Sequence, residues 1–182
     1  MIEKWHPILI YYHDNIENHV EILQEIKSIE SQLEEFYRPN MWNDNVHSTL
    51  STITNVILRF NLINLNKFIL THVLNYITEL NIEHSRVYLY NSWFNKLEKY
   101  GYQDKHVHSY NTISGCYYFE DSMYEEEGIT FAVPNKFGTD DGIIYPFRVN
   151  RLILFPGLLE HSVKYKKTDG IRKSLSFNFK LE

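Results

Sequence analysis

The chain has 182 residues, of which 43% are hydrophobic, and this is enough for one domain with a sizeable core. A net charge of −5 argues against a general nucleic-acid-binding surface, which would draw on clustered lysine and arginine. The single cysteine, Cys116, excludes an internal disulfide and fits a reducing compartment. Neither a secretory signal nor a run of membrane-spanning length is evident, so we expect a cytoplasmic protein without a membrane partner.

The N-terminal part of the chain is predicted to be mainly helical after a first strand at residues 7–12. Asp14 or Asn15 can cap a helix that runs to about Tyr37, because apolar residues recur there at helical spacing. Residues 62–80 repeat the same amphipathic pattern. Two such helices must cover an apolar surface.

Two segments lack periodicity and are predicted to be loops. Residues 39–52 contain Trp42, which is interpreted as a buried anchor, with a lid over a substrate as the alternative. Residues 120–145 hold an acidic triplet, a short strand at about residues 129–133 and a run rich in glycine, proline and aspartate. Loops on a β-scaffold often set specificity, so these segments are candidates for substrate contacts.

A His-x-His pair opens the β-rich part of the chain. Residues 103–110 have an alternating pattern and lead into the apolar, aromatic run 113–119, which predicts a strand. Residues two apart on a strand share a face, so His106 and His108 would point the same way. A neutral imidazole is the commonest metal ligand in proteins, and the pair therefore predicts part of a metal site.

The third candidate ligand is His161. It follows an apolar strand, residues 152–155, that ends at a Pro-Gly turn signal, and such a turn presents the next strand beside the one before it. The other histidines lack ligand spacing and are assigned no metal role; they are His6, His13, His19, His47, His72 and His84.

A candidate anion site follows eleven residues after His161. Alternation along residues 171–179 puts Arg172 and Ser174 on one face and the apolar residues on the other. A guanidinium forks naturally onto a carboxylate, and a serine two residues later can add a hydroxyl to the same anion. The lysines of residues 164–167 are interpreted as solvated strand edges beside a turn, with an anionic substrate as the alternative.

Several segments, taken in order, resemble the iron(II)- and 2-oxoglutarate-dependent oxygenases common in bacteria and their phages. The resemblance implies one mainly β domain over residues 1–182, a double-stranded β-helix (jelly-roll) braced by two amphipathic helices. Residues 1–84 would be helical support and residues 85–182 the β-helix core. The matching segments are residues 6–11, 91–95, 102–108, 113–118, 154–163 and 172–178.

The resemblance also implies a ligand set for iron. His106 matches the proximal iron ligand and His161 the distal one. Most such oxygenases have a carboxylate where this chain has His108, so the centre is either a three-histidine site or His108 lies outside the coordination shell. Asp104 is the nearest spare carboxylate, but its order relative to His106 is reversed.

The cosubstrate contacts follow from the same resemblance. Arg172 and Ser174 match the pair that binds the C5 carboxylate of 2-oxoglutarate, while Asn95 and Tyr117 would be weaker contacts. The implied reaction uses O2, converts 2-oxoglutarate to succinate and carbon dioxide, and by default hydroxylates a substrate. The resemblance does not identify the substrate, which is either a small molecule or a protein side chain. A homodimer is compatible with the sequence.

Two other functions compete with this one. A cupin-type metal-binding protein or isomerase shares the barrel and the His-x-His pair, but the usual cupin glutamate is absent from residues 110–113. A non-catalytic phage relative would keep the fold and lose turnover. Loss of 2-oxoglutarate binding on substitution of Arg172 separates the oxygenase from the cupin.

Overall fold

The computed structural model describes residues 8–14, 19–39, 46–120, 128–132 and 142–182. Strands dominate, and the helices lie in the N-terminal part, as the sequence predicts. In chain order the elements are β1 (Tyr11–His13), α1 (His19–Leu33), a 3₁₀ turn (Glu34–Phe36), β2 (Arg38–Pro39), β3 (Val46–Ser48), α2 (Val56–Arg59), α3 (Ile63–Leu80), β4 (Val87–Leu97), β5 (Gln103–His106), β6 (Thr112–Glu120), β7 (Gly128–Phe131), β8 (Ile143–Pro146), β9 (Arg151–Pro156), β10 (His161–Val163) and β11 (Arg172–Leu181).

The strands form two antiparallel sheets. The large sheet has the order β1-β9-β6-β11-β4-β3-β2, and the small sheet has the order β5-β10-β7-β8. At the centre of the large sheet, β11 pairs with β4 on one side and β6 on the other along almost its whole length. This arrangement is that of the predicted jelly-roll class.

The helices cover the outer face of the large sheet, which confirms the predicted packing. Buried residues of α3 recur at helical spacing, for example Leu65, Ile69 and Val73. They pack in one apolar cluster with Phe94 of β4 and Phe177 of β11. Helix α1 contributes its own buried stripe to the same cluster, so both long helices bury apolar residues against the large sheet.

A second apolar cluster lies between the two sheets. Because both faces of the large sheet are covered, β6 is buried from Thr112 to Phe119 and β9 is buried from Arg151 to Phe155. Alternate residues of each strand therefore face the helices and the small sheet. The inter-sheet cluster contains Cys116, Tyr118, Ile129, Phe131, Phe147, Ile153, Phe155 and Leu159.

Several boundaries differ from the prediction. The first strand begins at Tyr11, and the predicted loop 39–52 contains the short strand β3, which pairs with β4. Helix α2 was not predicted; Asn55 caps it by accepting a hydrogen bond from the backbone N–H of Leu58 at 3.1 Å. The predictions for Trp42, the Asn15 cap, the acidic triplet and the turn-rich run after residue 133 fall outside the described residues. Within the described ranges, no helix combines the length and apolarity needed to cross a bilayer.

The helix–sheet core gives a direct stability prediction. Ile69 is fully buried in α3, so Ile69→Ala leaves a cavity and should lower the free energy of unfolding by about 2–5 kcal/mol in urea denaturation. Leu74 lies on the same helix with 41% of its surface exposed, and Leu74→Ala should cost far less. Equal losses in the two variants would contradict the assignment of the buried face.

Candidate metal centre

Three histidines meet at the edge of the small sheet. His106 ends β5, His161 begins β10, and the antiparallel register pairs the two residues directly. His108 lies two residues after β5, and one ligand atom from each of the three side chains falls within 4.8 Å of the others. In the parts of the chain that the structure describes, this is the only such group of three.

The imidazoles of His106 and His161 are oriented by backbone carbonyls. The Nδ1 atom of His106 lies 2.8 Å from the carbonyl oxygen of Asp104, and the Nδ1 atom of His161 lies 2.8 Å from that of Leu159. A carbonyl oxygen only accepts, so Nδ1 carries the proton in both rings and Nε2 keeps its lone pair. This is the tautomer that a metal-binding imidazole requires.

His108 is held from the other sheet. Its backbone N–H donates to the carbonyl of Gly157 at 2.7 Å, and its ring lies 6.2 Å from that of Trp93. Gly157 has no room for a side chain, because a Cβ there would collide with the hydroxyl of Thr112. The glycine therefore lets the turn after β9 approach closely enough to fix His108.

The same turn does not form the predicted hairpin. The neighbours of β9 are β1 and β6, so no edge of β9 is left for β10. The chain instead crosses from the large sheet to the small one between Gly157 and Glu160. This crossing places His161 beside His106. A hairpin between β9 and β10 would not bring the two histidines together.

Burial keeps the imidazoles of His108 and His161 neutral. Desolvation, with a smaller effect from the neighbouring His106, lowers the pKa of His161 to about 3. The same two causes lower the pKa of His108 to about 4. Both rings are therefore unprotonated at neutral pH, when their lone pairs are available to a cation.

An inner cavity of about 60 Å³ extends from the histidines between the sheets. Arg172, Ser174 and Asn95 line it together with the three histidines, so the structure brings together six of the seven predicted site residues. Arg172 is 3% exposed, and its guanidinium lies 4.6 Å from the centre of the Phe147 ring. The cavity thus combines an imidazole cluster with a buried cation.

Tyr117 is the exception, because it does not line the inner cavity. It lies on the opposite face of β6, where its hydroxyl is 3.1 Å from Nδ1 of His19 and its ring is 5.8 Å from that of Phe68. Tyr118 lines the cavity instead. The run around Tyr117 is apolar on both faces, so its alternation carries no signal that could assign the faces.

Asp104 and Cys116 also have clear positions. The side chain of Asp104 is exposed and stands outside the histidine cluster, so it offers no carboxylate to that group. Cys116 lies in the cavity wall, and burial raises the pKa of its thiol to about 12. It is therefore a protonated, packed thiol, in agreement with its apolar sequence setting.

A second, outer cavity of about 330 Å³ adjoins the first. His106, His108, Trp93 and Gln103 line both cavities, so these residues form the boundary between them. The far wall of the outer cavity comes from β2, β3 and the turn after β3. A molecule in the outer cavity would therefore lie directly against the histidine cluster.

Comparison with solved structures identifies the fold class as the double-stranded β-helix of 2-oxoglutarate-dependent oxygenases. HygX from Streptomyces hygroscopicus, with nickel and 2-oxoglutarate bound, has a TM-score of 0.66 at 11% identity, covering 96% of this chain and 83% of HygX. A Pseudomonas putida prolyl-4-hydroxylase has a TM-score of 0.66 at 11% identity, covering 95% and 92%. The epimerase SnoN from nogalamycin biosynthesis has a TM-score of 0.67 at 10% identity, covering 94% and 78%. At these identities the likeness establishes the fold.

A family model described as "Putative 2OG-Fe(II) oxygenase" matches residues 91–178. This match and the common fold support the assignment of the chain to the 2OG-Fe(II) oxygenases. A comparison with curated proteins finds no match. The matched segment runs from β4 into β11 and contains all three histidines of the cluster, whereas the cupin alternative receives no support.

The buried histidines predict how the stability of the metal-free protein depends on pH. A histidine whose folded pKa lies below its unfolded value of about 6.5 binds a proton more readily in the unfolded chain. As the pH falls from about 6.5 toward 4, the unfolded state gains protons that the folded state does not, so the free energy of unfolding decreases.

Replacing one of these imidazoles should weaken that dependence. Between pH 7.5 and pH 5, the metal-free His161→Gln protein should lose about 1–2 kcal/mol less stability than the wild type in urea denaturation. The exposed His84 provides the matched control, since His84→Gln should behave as the wild type does. A His161→Gln protein with an unchanged pH dependence would show that His161 is not a neutral buried group.

Proposed function

We propose that this oxygenase is a hydroxylase of a small molecule or a protein side chain, with His106, His108 and His161 as the ligands of iron(II). Arg172, Ser174 and Asn95 bind 2-oxoglutarate in the inner cavity. The observation that carries the proposal is the convergence of three imidazoles and a buried guanidinium on one cavity between the sheets.

The donor set fits a first-row transition metal. Three neutral imidazole nitrogens favour iron, nickel, copper or zinc over magnesium or calcium, which prefer oxygen ligands. His108 occupies the position at which most relatives have a carboxylate, so the site holds the metal without adding a negative charge. The backbone bonds of the other two rings act as the outer support that orients ligands toward the metal.

The inner cavity fits a dicarboxylate. The Arg172 guanidinium can donate two parallel hydrogen bonds to a carboxylate, and the Ser174 hydroxyl adds a third donor on the same strand face. Tyr118 supplies a further hydroxyl in the wall, and burial raises the pKa of its phenol well above the usual value, so it stays a donor. Donors of this kind select an anion over a neutral ligand of the same size.

Asn95 can donate to an anionic ligand when its amide is reversed. Its Nδ2 atom donates to the hydroxyl of Ser176 at 3.0 Å, while its buried Oδ1 atom has no hydrogen-bond partner among the described residues. A carboxylate in the cavity offers only acceptors. Binding would therefore favour the reversed amide, with NH2 toward the anion and the Ser176 hydroxyl donating to Oδ1.

When bound, iron(II) and 2-oxoglutarate would activate O2, which is the oxidant; one of its oxygen atoms would enter succinate as the keto acid loses carbon dioxide, and the other would enter the substrate. The protein's part is to position the groups and to exclude water from the inner cavity through its apolar walls. The outer cavity receives the substrate against His106 and His108. Hydroxylation is the outcome proposed because it requires no further acid or base from the protein.

Anaerobic addition of iron(II) and 2-oxoglutarate tests the proposal. A visible charge-transfer band should appear, because the keto acid chelates the metal. His161→Ala should abolish the band through loss of a ligand, and Arg172→Ala should abolish it while bound iron is retained. His84→Ala and Arg59→Ala, both at exposed positions, are the matched controls and should keep the band.

The opposite result is equally clear. Bound metal without a band in the wild-type protein would overturn the oxygenase proposal and bring the cupin-type alternative forward. Bands of equal strength in wild type and Arg172→Ala would overturn the role of Arg172 as the carboxylate anchor.

Neighbouring tyrosines on β6 give a second prediction. Tyr118→Phe removes a cavity donor and should weaken 2-oxoglutarate binding to the iron-loaded protein about tenfold in calorimetric titration. Tyr117→Phe changes the helix-facing side of the strand and should leave the affinity unchanged. Weaker binding in Tyr117→Phe with unchanged binding in Tyr118→Phe would show that the helix-facing side of β6, and not the cavity-facing side, contacts 2-oxoglutarate.

A further inference from the structure

Two loops lie side by side at one end of the site. Residues 98–102 connect β4 to β5 and lead into His106. Residues 164–171 connect β10 to β11 and therefore separate His161 from Arg172. The contacts between the two loops therefore bear on the position of Arg172 relative to His106 and His161.

The backbone of Lys166 joins the two loops. Its N–H donates to the carbonyl of Gly101 at 2.9 Å, and its carbonyl accepts from the N–H of Tyr100 at 2.7 Å. Tyr100 has a φ of 68°, so the first loop turns sharply to present both groups. Any side chain at position 166 would keep these backbone bonds.

The side chain of Lys166 makes hydrogen bonds within the second loop. It is fully buried, with 0% exposure. Its Nζ atom donates to the hydroxyl of Thr168 at 2.7 Å, to the carbonyl of Thr168 at 3.0 Å and to the carbonyl of Asp169 at 3.2 Å. An ammonium has three N–H groups, and these three oxygens satisfy them. A buried cation is tolerated only when its donors are matched in this way.

Further contacts reinforce the same junction. Lys99 of the first loop pairs with Asp169 of the second at 2.9 Å. The rings of Tyr102 and Tyr165 lie 4.4 Å apart. Gly170 has a φ of 90°, which permits the sharp turn that follows the residues bound by Lys166. The chain then enters β11 at Arg172.

We propose that Lys166 is a positioning residue for Arg172. Its ammonium gathers the Thr168–Asp169 turn into one conformation and so fixes the point at which β11 begins, which in turn sets the direction of the Arg172 side chain in the inner cavity. The inference deepens the proposed function and rests on it, because the ligand that Arg172 meets is the distal carboxylate of 2-oxoglutarate.

The effect of Lys166 should be confined to one end of the site. His106 and His161 are held by the ladder between β5 and β10, and β10 is also paired with β7. The three oxygens bound by the Lys166 ammonium belong to Thr168 and Asp169, which lie in the loop before β11 and in neither of these strands. Loss of the ammonium leaves three oxygens without their donor and frees the loop before Arg172, while the metal ligands keep their supports.

The test compares two chelators on the iron-loaded protein under anaerobic conditions. 2-Oxoglutarate reaches both the metal and Arg172, whereas oxalate binds the metal and has no distal carboxylate. Lys166→Met, which keeps the length of the side chain and removes its donors, should weaken 2-oxoglutarate binding about tenfold and leave oxalate binding within about twofold. Lys164→Met, at an exposed position of the same loop, should change neither affinity.

Each other outcome has a definite meaning. Unchanged binding of both chelators, or equal weakening of both, would overturn the positioning role, since the second result is what a general loss of structure gives. Thr168→Val removes one acceptor and should shift 2-oxoglutarate affinity about threefold in the same direction, so it decides the matter if Lys166→Met does not fold. Failure of the wild-type protein to bind 2-oxoglutarate would instead overturn the proposed function.

Discussion

The pairing of β11 with two neighbours at the centre of the large sheet is the constraint on which the rest of the structure depends. Both edges of β11 are hydrogen-bonded to neighbouring strands. Its side chains alternate between the two faces of the sheet, so they point in turn toward the helices and toward the small sheet. Leu175 and Phe177 go to the helix side and fill the core. Arg172 and Ser174 face the inner cavity between the sheets, where a buried guanidinium acts more strongly on an anion than it would in water. Core packing and the proposed anion site thus come from alternate residues of one strand.

Much of this arrangement could be predicted from the sequence, because the signals are local and periodic. Alternation along β11 assigns Arg172 and Ser174 to the same face, and helical spacing identifies the stripe of α3. The His-x-His pair needs only the geometry of an extended chain. What brings His161 to it is a crossing between sheets, and no pattern within ten residues of His161 encodes which sheet receives the next strand.

The errors arise where local patterns carry no information. Both faces of β6 are buried, so Tyr117 and Tyr118 are indistinguishable by hydrophobicity, and only the register of the sheet separates them. The sequence predicts that Lys166 is a solvated residue at a strand edge, because lysine is rarely buried. Its burial depends on three oxygens of a turn that forms around it, and such a turn is visible only in three dimensions.

The two cavities draw on different kinds of structure. The inner one is lined mainly by long central strands, whose residues also belong to the cores of the molecule. The outer one adds Arg38, Ser48 and Leu50, which lie in or beside very short strands and line only that cavity. Under the proposed function, sequence drift at these outer positions can therefore reshape what the outer cavity accepts without disturbing the strands that carry the fold and the proposed cosubstrate site. Acquisition of a new substrate is thereby separated from the risk of losing the reaction.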